Sequence, residues 1–295
     1  MDIRSALEGI TCPLVTPFDG DAIDEQALDD LIEHVQDGGI DAVFPCGTTG
    51  EFPSLTPAEQ RRVIEFTVEA ADVPVVAGAA RTSIEETVEA IETAAAAGAD
   101  AATIVPPYFI SANAPEGNRR VFESVLDRAS IPVLLYNIPQ CTGGQIEPET
   151  VAAIADHDRA LGLKDSSGDL EYFSAVLRQT PEEFLCLQGY DALLVASMRM
   201  GGDGGVNALS NAVPGVFRET VDSFAVERGR ELQQEAIAPL FEACTDYGFA
   251  PATKSALVHR GVIPTDDVRP PLVPVPDGAS IGTQVDRTLA VGDRS

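Results

Sequence analysis

Of the 19 lysines and arginines in this 295-residue chain, only two are lysines, Lys164 and Lys254. Lys164 ends an apolar run, Ala160-Leu-Gly-Leu-Lys-Asp-Ser-Ser-Gly168. Arginine carries the rest of the positive charge, so a lysine kept at a strand end is a candidate for chemistry that a guanidinium cannot perform. Losing a proton and attacking a carbonyl carbon is such chemistry. A free lysine amine is protonated at neutral pH, and desolvation inside an apolar barrel favours the neutral, nucleophilic form. The imine it forms with a ketone withdraws electrons, so a C–C bond beside it can break or form. That reaction also needs a proton shuttle, and the hydroxyl of Tyr136 is suited to it. A keto-acid carboxylate needs donors, which the hydroxyls and backbone N–H groups of Gly47-Thr48-Thr49-Gly50 could supply.

Each residue also has a purely structural reading. A lone strand-end lysine can be a salt-bridge residue, Tyr136 a satisfied core tyrosine, and Gly47–Gly50 a simple turn. Strand alternation turns Asp165 away from Lys164 and makes it structural. Cys46 and Cys141 read as small fillers, and Lys254 is placed on a surface helix.

The elements that must hold these residues follow a repeat. Short apolar runs, expected as strands, cover Gly9–Phe18, Asp41–Gly47, Val73–Ala79, Ala101–Pro107, Val133–Asn137, Leu161–Ser167, Phe184–Gly189 and Gly204–Ser210. Their continuous apolar character suits parallel strands covered on both faces. Helical patterns lie between them, several opened by proline and closed by glycine. Eight such βα units predict an α/β fold, a (β/α)8 TIM barrel over residues 1–228, with a C-terminal helical extension and tail over 229–295. An open doubly wound sheet is disfavoured, because no Gly-x-Gly-x-x-Gly follows the first strand. Helices are expected near Glu231–Tyr247 and Ala252–Arg260, and the last dozen residues look frayed. Active sites in such barrels lie at the C-terminal ends of the strands. Thr16, Thr48, Thr49, Arg81, Tyr108, Tyr136, Lys164, Gly189, Asn207 and Ser210 all fall there.

Composition narrows the class. The chain carries 47 acidic against 19 basic residues, a net charge of −28, spread along its whole length. That points to a cytoplasmic protein of a high-salt environment. Nucleic-acid binding is disfavoured, since no basic stripe is present to neutralise phosphates. The five cysteines are widely spaced with no CxxC pair, and read as free thiols. The three histidines do not cluster with them, so neither a metal nor another cofactor is expected. No signal peptide or membrane-length apolar run is apparent.

Gly47-Thr-Thr-Gly-Glu51, Tyr136-Asn-Ile-Pro139 and Gly162-Leu-Lys-Asp165 occur in an order and spacing that resemble the dihydrodipicolinate synthase / N-acetylneuraminate lyase family of class I pyruvate aldolases. The resemblance covers about residues 8–275. It implies a Schiff base between Lys164 and pyruvate, with Tyr136 as general acid/base. Thr48 and Thr49 would hold the carboxylate and relay protons. The resemblance also implies a homo-oligomer, commonly a tetramer. By their positions at the strand ends and in the glycine loop, Gly47, Gly189, Asn207 and Ser210 are expected around the substrate.

Two departures bear on the reaction. Family synthases carry an arginine shortly after the Tyr-Asn-x-Pro motif for the carboxylate of aspartate semialdehyde, where this chain has Cys141. Their second tyrosine after strand 4, which joins a neighbour's proton relay, is here Phe109. An unpaired carboxylate would cost several kcal/mol. Together with Asp203-Gly-Gly-Val-Asn-Ala-Leu-Ser-Asn211, which resembles the family's 2-keto-3-deoxy sugar-acid aldolases, this sets the expectation. The chain is expected to cleave 2-keto-3-deoxygluconate or its 6-phosphate to pyruvate and a glyceraldehyde, with Arg81 as the candidate anion contact. The alternatives are the synthase itself, a sugar-acid dehydratase, and a non-catalytic sugar-acid sensor.

Overall fold

The computed structural model describes residues 3–276 and 278–294. Strand β1 (Ile10–Cys12) is followed by a two-stranded hairpin of β2 (Phe18–Asp19) and β3 (Ala22–Ile23). Then come β4 (Ala42–Val43), β5 (Val76–Gly78), β6 (Ala101–Ile104), β7 (Val133–Asn137), β8 (Ala160–Asp165), β9 (Leu185–Gln188) and β10 (Gly204–Val206). All but β2 and β3 form one parallel sheet in the order β4-β1-β10-β9-β8-β7-β6-β5. A bridge between Val43 and Val75 joins its two ends, making the sheet a barrel. Eight helices follow the barrel strands in turn: Glu25–Asp37, Pro57–Ala70, Ile84–Ala97, Pro115–Leu126, Pro148–Ile154, Leu170–Gln179, Leu194–Arg199 and Pro214–Ser223. This is the expected TIM barrel.

Local chemistry sets the element ends. The first strand is much shorter than Gly9–Phe18, because Pro13 and Pro17 have no N–H for a ladder; the chain instead folds back at Phe18 into the hairpin. Thr56 and Glu59 form a reciprocal capping box on the helix Pro57–Ala70. The helix Pro214–Ser223 breaks off, and the chain restarts as the helix Glu227–Glu231. Arg199 donates to the carbonyls of Phe224 and Val226 at 2.7 and 2.8 Å, holding the chain in that break.

Beyond the barrel, a π-helical turn (Leu232–Ile237) leads into the helix Ala238–Thr245, and the helices Phe249–His259 and Gly278–Gly292 follow. The expectation of a frayed end is corrected by the last of these. Ile281, Val285, Thr288 and Val291 recur at helical spacing and are buried against the extension. The Thr288 hydroxyl also donates to the Ala236 carbonyl in the π-helical turn, at 3.1 Å. Thr283, Asp286 and Arg287, polar residues that made this segment look loose, lie on its exposed face. Among the described residues, no helix is long and apolar enough to cross a membrane.

If this helix is docked as described, Ile281→Ala removes a fully buried side chain. It is expected to destabilise the protein by about 2–5 kcal/mol, measured by urea unfolding. An unchanged midpoint would mean that the helix contributes nothing to the folded core.

Candidate active site

Two-residue alternation divides the strands into an inner and an outer face. Leu134, Leu185, Leu187 and Val206 pack together in the barrel interior, whereas Leu135, Leu163 and Cys186 pack under the helices. Tyr136 and Lys164 continue the inner rows and lie side by side, because β7 and β8 pair Tyr136 with Lys164. Lys164 Nζ sits 4.0 Å from the Tyr136 ring centroid and 5.1 Å from that of Phe44. Among the described residues, no carboxylate lies within ion-pair distance of this amine, which leaves the nitrogen free to meet a carbonyl carbon. Asp165 belongs to the other face. It accepts a hydrogen bond from Asn137 Nδ2 at 2.7 Å and further ones from Ser167.

Lys164 and Tyr136 open onto a cavity of about 370 Å³. Thr48 and Thr49 contribute to its wall, as do Phe249, Pro251 and Leu272 of the C-terminal extension. Gly189 makes room for the amine, since a Cβ there would lie 2.9 Å from Lys164 Cε and 2.2 Å from Ser166 Oγ. A keto acid fits such a site chemically. The amine lies against the Tyr136 and Phe44 rings, and Thr48 and Thr49 line the same cavity with apolar neighbours.

The other expected residues are placed differently. Gly47 lies just behind this wall, against the Phe44 ring. Asn207 and Ser210 are fully buried behind the cavity. Asn207 donates to Gln188 O and Asp191 Oδ1, and Ser210 Oγ donates to Asn207 O. Thr16 is also buried, with its hydroxyl donating to Gly50 O at 2.8 Å, and Tyr108 packs beside Ala80, Val105 and Tyr136. Arg81 does not reach the cavity. Its guanidinium turns outward to Gln60 Oε1 and its neighbour's carbonyl, Ala80 O, beside Glu86 and Glu89. A strand-end position fixes the backbone of a long side chain but not its direction. Cys46 is the buried filler expected, its thiol pushed up to about 12 by desolvation. Cys141 is not; it is exposed on the cavity wall. Burial raises its thiol pKa, an effect that the nearby charge of Lys164 opposes.

Sequence reasoning missed three polar groups. Ser166 Oγ lies 3.5 Å from the Tyr136 hydroxyl. Its position two residues after Lys164, on the same strand face, was the available signal. Asp191 lines the cavity although its residue is buried. Its carboxylate accepts from Leu209 N at 2.9 Å and Ala208 N at 3.3 Å, fixing the loop after β10. Desolvation raises its pKa from 3.8 to about 6, against the lowering effects of these donors and of Lys164. Lys254 is the third, and its placement on a surface helix is corrected. Its side chain is 0% exposed and ion-paired to Glu51, also 0% exposed. The scarcity of lysine that singled out Lys164 applied equally to Lys254.

The sequence matches a profile described as the Dihydrodipicolinate synthetase family over residues 6–289. It is 36% identical over 272 residues to the 4-hydroxy-tetrahydrodipicolinate synthase of Syntrophus aciditrophicus, covering 90% of this chain and 92% of that one. It is 36% identical over 276 residues to the synthase of the same name from Methanopyrus kandleri, covering 90% of each chain. Among solved structures, a monomeric dihydrodipicolinate synthase variant superposes with a TM-score of 0.92 at 26% identity, covering 99% of this chain and 98% of that one. The dihydrodipicolinate synthase of Thermotoga maritima superposes with a TM-score of 0.91 at 27% identity, covering 97% and 99%.

These likenesses overturn the expectation of a 2-keto-3-deoxygluconate aldolase and favour its alternative, the synthase. That expectation rested on Cys141, Phe109 and one loop segment. These are a few local positions, whereas the likeness to synthases runs along nearly the whole chain.

The Asp191 carboxyl provides a test of the site's electrostatics. Its folded-state pKa, about 6, lies above its ordinary 3.8. The folded protein therefore binds this proton more tightly than the unfolded chain. The resulting stability is fully present below pH 3.8 and lost as pH rises through about 6. Asp191→Asn is expected to flatten the stability–pH curve across this window by up to about 3 kcal/mol, read by urea unfolding. Parallel curves for the two proteins would place the perturbed carboxyl elsewhere.

Proposed function

The chain belongs to the dihydrodipicolinate synthetase family, and on that premise we propose that it condenses pyruvate with aspartate semialdehyde through an imine on Lys164. The observation that carries this reading is the buried amine of Lys164 over the Tyr136 ring, at the floor of a cavity walled by Thr48 and Thr49. Full-length likeness to 4-hydroxy-tetrahydrodipicolinate synthases supports the choice of reaction.

The neutral amine adds to C2 of pyruvate, and loss of water gives the protonated imine. A proton leaves C3, and the resulting enamine attacks the aldehyde carbon while the aldehyde oxygen takes up a proton. The amino group carried by the semialdehyde then adds to the imine carbon, closing the ring and releasing Lys164. Tyr136 is within reach to move these protons, with Ser166 as its hydroxyl neighbour at 3.5 Å. Thr48 and Thr49 offer hydroxyls to the pyruvate carboxylate. With Cys141 in place of an arginine, Gln140 and Ser166 on the cavity wall offer polar side chains to the semialdehyde carboxylate. No cofactor is required by this sequence of steps.

Phe109 and Ile110 are 98% and 77% exposed. An apolar pair standing free beside the site supports assembly into a homo-oligomer. The net charge of −28 supports a high-salt working environment.

Borohydride reduction in pyruvate is expected to attach a three-carbon acid to Lys164, read by peptide mass. Lys164→Ala should abolish the adduct, and adding aspartate semialdehyde to the wild type should consume pyruvate. Trapping on another residue would overturn the role of Lys164, and intact trapping without consumption would overturn the choice of aldehyde. The thermal midpoint is expected to rise as KCl is raised from about 0.1 M toward 2 M, as carboxylate repulsion is screened. A flat or falling midpoint would remove the high-salt reading.

A further inference from the structure

The second lysine is as deeply placed as the first. Lys254 Nζ donates to Glu51 Oε1 at 2.5 Å and to the Asp267 carbonyl at 2.7 Å. It also lies 4.1 Å from the Phe18 ring centroid, a ring that the Arg269 guanidinium approaches to 4.6 Å. The other oxygen of Glu51, Oε2, accepts from Arg269 N at 3.1 Å. One carboxylate thus gathers the loop Gly47–Glu51, the helix Phe249–His259 and the segment 264–272.

Each of these three stretches also supplies wall to the cavity over Lys164. The loop gives Thr48 and Thr49, the helix gives Phe249 and Pro251, and the segment gives Leu272. Glu51 is two residues from Thr49 and holds a left-handed backbone, with φ of 56°. That conformation is unusual for a residue with a side chain and persists only where surrounding contacts enforce it. Thr16 grips the same loop from the barrel side through Gly50 O.

Stability alone does not account for the pair. A buried ion pair gains little over a well-packed apolar pair of similar volume, and its best-attested use is to fix geometry. The choice of lysine points the same way, in a chain where arginine is otherwise used almost throughout. A compact ammonium with three donors suits the convergence of a carboxylate, a carbonyl and an aromatic face, which a flat guanidinium fork does not match.

We infer that the Lys254–Glu51 pair positions the Thr48–Thr49 wall against the wall formed by the C-terminal extension, and so sets the affinity for the keto acid. Lys254 and Glu51 touch no reacting atom and act through the threonines. The inference rests on reading the cavity as the pyruvate site. Its test separates the two.

The experiment is borohydride trapping at Lys164 over a range of pyruvate concentrations, at a temperature where circular dichroism reports each protein folded. The double variant Lys254→Met/Glu51→Gln leaves no lone buried charge, and Glu51→Asp keeps the charge but shortens its reach. In whichever of these folds, trapping should still reach completion, but half-saturation should need at least about tenfold more pyruvate, as expected when a binding group is displaced. Val285→Ala, which loosens the terminal helix but alters neither member of the ion pair, should leave half-saturation unchanged. Half-saturation within twofold of wild type in the folded variants would overturn the inference, as would an equal rise in Val285→Ala. A wild type that traps no pyruvate would instead overturn the reading of the cavity itself.

Discussion

The site depends on a geometric constraint: in a closed parallel barrel, only every second residue of a strand enters the interior. Once β7 and β8 pair Tyr136 with Lys164, the amine and the phenol must share one inner layer, and Asn137 and Asp165 must share the outer face. A slip of one residue would exchange these pairs, placing a carboxylate in the cavity and the amine under a helix. The outer pair is itself bonded, so the register that makes the site is held from the side that takes no part in it.

The interior around Lys164 is kept open by what is missing as much as by what is present. Gly189 has no Cβ to press on the lysine side chain, and Gly162, two residues before Lys164, lets β9 approach closely, since a Cβ there would lie 2.3 Å from Leu185 O. Deeper in the barrel, Leu134, Leu185, Leu187 and Val206 pack with Phe44 and fill the interior. The upper wall comes from outside the barrel. Phe249, Pro251 and Leu272 belong to the extension, which makes the extension part of the site and not an appendage to it.

Charge is distributed in two regimes. Exposed ion pairs such as Arg120–Glu116 and Arg230–Glu227 lie along helices at helical spacing, where solvent and salt weaken them. The Lys254–Glu51 pair and the Asp191 carboxyl lie inside, where screening is slight. The acidic surface governs solubility and response to salt, whereas the interior charges hold the loops that shape the cavity.

The repeat of apolar runs and amphipathic helices made the barrel legible, because periodicity and proline or glycine punctuation are local properties of a chain. Lysine scarcity made Lys164 legible, and motif spacing joined it to Tyr136, Thr48 and Thr49. Tertiary structure decided what depends on distant partners or on side-chain direction. The partner of Lys254 lies 203 residues away, and the burial of the final helix depends on a surface built by residues before it. Arg81 sits at the expected strand end yet turns away, because Gln60 offers it an acceptor outside the cavity. Sequence pattern fixes which backbone positions can face a site. Which side chains enter it is settled only by the neighbours that packing brings to them.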